Sequence, residues 1–361
     1  MANATLSNGQ DSDARTQDGP YNILFILTDQ ERYFRAGELP AGYSLPAHEK
    51  LASRGVVFEN HRINSCVCTS SRSVIYTGLH IQQTRMFDNT NFPWMQSMST
   101  DIKTVGDLLR EAGYYTAYKG KWHLTREFET DNKLEAPTKI FTQEMEAYGF
   151  SDYLGIGDII AHTQGGYLHD GMIAAAAASW LRGKGAELTQ QEKPWFLAVN
   201  LVNPHDVMFY DTDEPGQPPV QGKNNMTHIA RDPVHAVYDK QWDFELPASF
   251  AQGLDAPGRP AAHTDHTMGN DAMTGPIPVS DTWRWRKRQN FYFNALRDVD
   301  RNIMTVLDEL EDRGLLSTTI VILTSDHGEL GGAHQMTGKG ATSYREQNNV
   351  PLIVAHPAYP G

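Results

Sequence analysis

"NILFILTDQ", Asn22–Gln30, is the stretch that sets the fold. Seven residues dominated by Ile, Leu and Phe are too short for a buried helix and show no polar face, so they read as a strand covered on both sides of a sheet. The run stops abruptly at a carboxylate and an amide, Asp29 and Gln30. The same rhythm returns at "YYTAY" (114–118), "WFLAVNLV" (195–202), "TIVILTS" (319–325) and "VPLIVA" (350–355). Between these runs, 104–113, 171–185 and 291–314 carry apolar residues at helical spacing. Strands alternating with helices predict an α/β fold, a doubly wound and mostly parallel sheet with helices on both faces.

The organisation follows from where this rhythm holds. Residues 1–20 are polar, lack the basic and apolar regions of a signal peptide, and read as a disordered tail. Residues 21–361 read as one α/β domain, interrupted at 211–281 by a Pro-, Gly- and His-rich segment of the kind that makes functional loops or lids. The last strand candidate lies within a dozen residues of the end, which predicts a C-terminally truncated fragment, short of a covering element.

A net charge of −13 without any Lys/Arg block disfavours nucleic acid and anionic membrane surfaces. No apolar run is long enough to span a bilayer. Two cysteines two positions apart, Cys66 and Cys68, suit neither a disulfide framework nor a structural zinc site and point to the cytoplasm. Oligomerisation is left open.

In open α/β sheets, ligands bind beyond the carboxyl ends of the strands. There this sequence places Asp29-Gln30, Lys119-Gly-Lys121-Trp-His123, Asn203-Pro-His205-Asp206 and Asp326-His327-Gly328-Glu329. Asp29, Gln30, Asp326 and His327 together offer a hard-to-borderline donor set for one divalent cation. "SSRSVIYTG" (70–78) reads as a helix with Cys68 just before its start, where free backbone N–H groups favour an anion, and Arg72 lies one turn further along the same face. Composition alone favours reading Cys68 as a small buried hydrophobe.

Cys68-Thr69-Ser70-Ser71-Arg72, with Thr77-Gly78 closing the helix, resembles the signature of the type I sulfatases of the alkaline phosphatase superfamily, and "ILTDQ", "GKWH", "NPHD", "TSDHGE" and "TGKG" follow in family order over residues 21–355. The resemblance implies that Cys68 is converted by a formylglycine-generating maturation enzyme and that the hydrated aldehyde attacks the sulfur of a small organic or aryl sulfate. It also implies that Asp29, Gln30, Asp326 and His327 hold the cation, with Ca²⁺ the first choice and Mn²⁺ or Zn²⁺ as alternates. By the same resemblance, Arg72, Lys121 and Lys339 are expected to stabilise the nucleophile and the sulfuryl oxygens, His123 to assist proton removal, His205 to serve the leaving oxygen, and Asn89 to contact substrate.

Ser70 stands where the signature carries proline, and the Asp-Gln and Asp-His pairs resemble the choline-sulfatase and phosphonate-monoester-hydrolase branch. Members usually continue into a small C-terminal subdomain, which is expected to be missing. The alternatives are a phosphonate monoester hydrolase or phosphodiesterase of the same superfamily, and a non-catalytic anion-binding relative.

Overall fold

Among the described residues, seven strands form one sheet in the order β2-β7-β6-β1-β5-β3-β4. They are β1 (Asn22–Asp29), β2 (Val56–Val57), β3 (Tyr115–Gly120), β4 (Ser151–Leu154), β5 (Trp195–Pro204), β6 (Thr319–Ser325) and β7 (Leu352–Ala355). From β6 across to β4 every pairing is parallel, while β7 runs antiparallel to β6 and β2 antiparallel to β7. The computed structural model describes residues 19–129, 137–155, 163–223, 225–340 and 342–359. Residues 1–18, most of the polar tail, lie outside the described residues.

The apolar runs lack polar alternation because both faces of the sheet are covered. Leu24 and Ile26 of β1, with Leu197, Val199 and Leu201 of β5, pack in one apolar cluster. Residues of α1 (Pro46–Ala52), α4 (Gly165–Trp180) and α6 (Thr282–Asp312) pack in the same cluster. On the opposite face, Leu27, Phe196 and Ala198 join Tyr76 of α2 (Cys68–Thr77), Trp122, Tyr148 and Phe150, with Ile23 and Phe25 packed against them. α3 (Val105–Glu111) starts from a Thr104 cap whose side chain accepts from Gly106 and Asp107 N–H. Each fully buried Leu or Ile in these layers contributes about 1.5–3 kcal/mol relative to exposure, so β1 is held from both sides.

Several boundaries differ from the sequence reading. β3 extends to Gly120, carrying Lys119 into the sheet. The segment 211–281 contains α5 (Ala262–Thr274), a helix of 13 residues that polar composition concealed. α6 begins at Thr282, nine residues before the apolar period becomes visible, and two arginines of its basic start turn inward. Arg284 and Arg288 are buried there, paired with Asp213 at 2.6 Å and Glu329 at 2.6 Å. Pairing lets charge go inside, so a helix turn that looks solvated in sequence is packed. Among the described residues, no helix is long and apolar enough to cross a membrane.

Candidate active site

The site is built on the carboxyl ends of adjacent strands. Parallel register sets Thr28 of β1 opposite Ser325 of β6, so Asp29-Gln30 and Asp326-His327 emerge side by side although 296 positions separate Gln30 from Asp326. The backbone N–H of Gln30 donates to Asp326 Oδ1 at 3.2 Å, and that of His327 to the same oxygen at 2.8 Å. Gln30 sits at φ 72°, a left-handed conformation unusual for a side-chain-bearing residue. Its carbonyl accepts from Tyr292 Oη at 2.8 Å, which anchors that turn to α6.

Cys68 is the first residue of α2 rather than the residue before it, following Val67 in extended backbone. Its Sγ lies 3.2 Å from His327 Nε2, 3.1 Å from Lys339 Nζ and 3.9 Å from Asp29 Oδ1. Next to it, the Thr69 N–H donates to Asn89 Oδ1 at 3.2 Å, and Thr69 Oγ1 donates to the carbonyl of His123 at 2.8 Å. The first turn of the helix therefore ties both neighbouring loops to the thiol.

Arg72 lies behind the carboxylates. Its Nε reaches Asp326 Oδ2 at 2.9 Å, its Nη2 reaches Asp29 Oδ2 at 3.1 Å, and its Nη1 donates to the Lys121 carbonyl at 2.9 Å. Lys121 Nζ meets Asp29 Oδ2 at 2.5 Å. Three cations, Arg72, Lys121 and Lys339, thus face two carboxylates, Asp29 and Asp326, and all five side chains are buried. The excess is positive, which favours an anionic ligand.

Burial alone would raise the Asp29 carboxyl, but Lys121, with Lys339 and Arg72, holds it well below the usual carboxylate range. Burial and Asp29 push the Cys68 thiol up, and Lys121, Lys339 and His327 outweigh them, so it ends below the ordinary thiol value. His123 is held well below the ordinary imidazole value by burial and then Lys121; His205 is lowered likewise by burial and then Lys339. Both are neutral at neutral pH and suited to exchange a proton.

Sequence reasoning missed the residues that aim these groups. Asp206 accepts from the N–H groups of Gly166 and Tyr167 at 2.8 and 2.9 Å in the first turn of α4. In return Asp170 of α4 accepts from Val202 and Asn203 N–H at 2.7 and 2.8 Å. This reciprocal lacing fixes the end of β5 that carries His205. Glu329 accepts from Gln30, Arg288 and two glycine N–H groups. Asp206 and Glu329 stand in the strand-end runs read from the sequence, one beside His205 and the other two residues after His327, but no role was assigned to them there.

The outer wall comes from α5 and the loop ahead of β7. Asn270 Nδ2 donates to the Thr337 carbonyl at 3.0 Å, two residues before Lys339, and His266 packs over Gly340. His263 lies tilted against Tyr344, whereas Trp242 packs on Tyr43 with its indole N–H on Asn294. A cavity of about 270 Å³ opens between Met208, Asn270, Trp285, Arg288 and Thr337.

A family model described as Sulfatase matches residues 21–359. An uncharacterised sulfatase, YidJ, of Escherichia coli K12 is 27% identical over 361 residues, covering 93% of this chain and 63% of that protein. The choline-sulfatase of Rhizobium meliloti is 24% identical, covering 94% of this chain and 63% of its own length. The crystal structure of a sulfatase of the same YidJ name from Bacteroides fragilis superposes with a TM-score of 0.66 at 21% identity, over 97% of this chain and 70% of that one. The chain thus spans 63% of the length of each of these two curated relatives.

Proposed function

The chain belongs to the sulfatase family, and from that premise we propose that it is a sulfuric ester hydrolase acting on a small organic or aryl sulfate. One observation carries the reading: Cys68, at the start of a helix, lies in a buried pocket where three cations face two carboxylates. Such a pocket attracts an anionic ester and presents a modifiable side chain to it.

Conversion of Cys68 to formylglycine by a maturation enzyme would supply a hydrated aldehyde as nucleophile. Asp29, Gln30, Asp326 and His327 fit a divalent cation. His327 Nδ1 lies 3.0 Å from the Gly328 carbonyl, which leaves Nε2 as the lone-pair donor facing Asp29 and Asp326. The ligand atoms of Asp29, Asp326 and His327 and Cys68 Sγ lie within 4.8 Å of one another. Three oxygen donors suit Ca²⁺, and the imidazole admits Mn²⁺ or Zn²⁺. A bound cation would supply Lewis acidity at the nucleophile and at a sulfuryl oxygen.

The chain's own groups do the rest. Lys339 and Lys121 neutralise sulfuryl oxygens, while Arg72 keeps the carboxylates of Asp29 and Asp326 in place. Neutral His123 takes a proton from the nucleophile's side, neutral His205 serves the leaving oxygen, and Asn89 orients the ester. Two unpaired thiols fit a reducing, cytoplasmic setting. The Asp-Gln and Asp-His pairs also favour a second reading, hydrolysis of a phosphodiester or phosphonate monoester by the same groups.

Two measurements test this. The peptide Ile63–Arg72 from protein made in its native host should show loss of the Cys68 sulfur by mass. Sulfate release from a chromogenic aryl sulfate should fall on the order of 1000-fold or more in Cys68→Ala. No release by the converted protein would overturn the proposal, and faster turnover of a matched phosphodiester would select the second reading.

A further inference from the structure

An amide can face a cation with its oxygen or, unproductively, with its N–H₂ group, so a Gln in a cation site needs something to choose. Glu329, with no exposed surface, has its two oxygens divided in function. Oε1 accepts from Arg288 Nη1 at 2.6 Å, Gly331 N–H at 3.0 Å and Gly338 N–H at 2.9 Å. Oε2 accepts from Gln30 Nε2 at 2.5 Å. With its N–H₂ turned to Glu329, Gln30 points Oε1 the other way, to within 2.8 Å of Lys339 Nζ.

We propose that Glu329 is the positioning residue that makes Gln30 an oxygen donor to the cation, and that the same carboxylate sets the loop carrying Lys339. The inference rests on the reading of Asp29, Gln30, Asp326 and His327 as a cation site. One oxygen holds the loop through Gly331, Gly338 and Arg288; the other orients the amide. The two duties are separable because they fall on different atoms.

Glu329→Gln isolates the second duty. The three donors around Oε1 hold the new amide oxygen in that place, which turns its N–H₂ toward the N–H₂ of Gln30. Gln30 must then rotate and present N–H groups to the cation and to Lys339. On a Gln30→Glu background the sign reverses. There Glu329 opposes a second carboxylate, and Glu329→Gln replaces that repulsion with an N–H···O bond.

The experiment is calorimetric titration of Ca²⁺, and separately Mn²⁺, into the chelator-stripped full chain. Glu329→Gln should weaken binding about 10- to 100-fold when residue 30 is Gln. On the Gln30→Glu background it should leave binding unchanged or tighten it. Equal losses on both backgrounds, or a loss under about twofold with Gln30 present, would overturn the proposal. If the single variant is too unstable to titrate, melting temperature reads the same cycle: recovery with Gln30→Glu supports the proposal and no recovery overturns it. No ester is used, so absent sulfate release with normal cation binding sinks hydrolysis alone, whereas a parent that binds neither cation sinks this inference.

Discussion

The floor and the outer wall of the site are built differently. The floor, Asp29, Gln30, Asp326 and His327, has no exposed surface and stands on the ends of two strands locked in parallel register. The outer wall, α5 with the loop of Lys339, stands on side-chain hydrogen bonds such as that from Asn270 to Thr337. Charges in the floor are buried and poorly screened, so deleting one partner there is costly. In the wall each bond is one of several, and the effect of losing it is modest.

The hardest blow to the floor is Arg72→Ala. It leaves Asp29 and Asp326 buried without the guanidinium that bridges them, at a cost of about 3–5 kcal/mol in urea unfolding. Arg72→Lys should recover little, since a point charge does not span two carboxylates. A loss below about 1 kcal/mol would show that the floor is braced elsewhere.

One layer behind the floor, His48 lies between Asp300 at 2.7 Å and Glu31 at 3.0 Å. Burial works against its charged form, but Glu31 and Asp300 raise it from 6.5 to about 10. The folded-state value is the higher one. Its contribution is therefore complete below about pH 6.5 and disappears as pH climbs through about 10. His48→Gln should lower the melting temperature clearly at pH 6, by the equivalent of about 2 kcal/mol, with the gap from the parent closing toward pH 10. A gap constant with pH would mean that His48 is neutral in the fold.

For the wall, Asn270→Ala should cost about 1 kcal/mol of stability. If this wall receives the leaving group, KM for a bulky sulfate ester should rise several-fold with kcat nearly unchanged. An equal fall in kcat would place Asn270 with the floor instead. Smallest of all is Ser70→Pro in the first turn of α2, where no intrahelical bond requires its N–H. Stability should change by less than about 1 kcal/mol, and the converted fraction of Cys68, read by peptide mass, should not fall.

Much of the floor is legible in the sequence. The runs leading to Asp29, Lys121, His205 and Asp326 declare themselves as strands because a doubly covered sheet favours apolar residues, and a parallel sheet brings their ends to one edge. The wall is not, because α5 has no long apolar face and α6 hides its first turns behind arginines that find buried partners.

Linear order alone gives five of the seven described strands, the place of Cys68 near a helix start and the set of polar groups collected around it. How those groups are aimed is settled by packing in three dimensions. Gln30 and Glu329 are 299 positions apart, and Asp206 finds its partners in a helix that precedes it by 40. Periodicity records which face of an element is apolar. Which carboxylate oxygen meets which N–H depends on how the elements pack, and no local pattern encodes it.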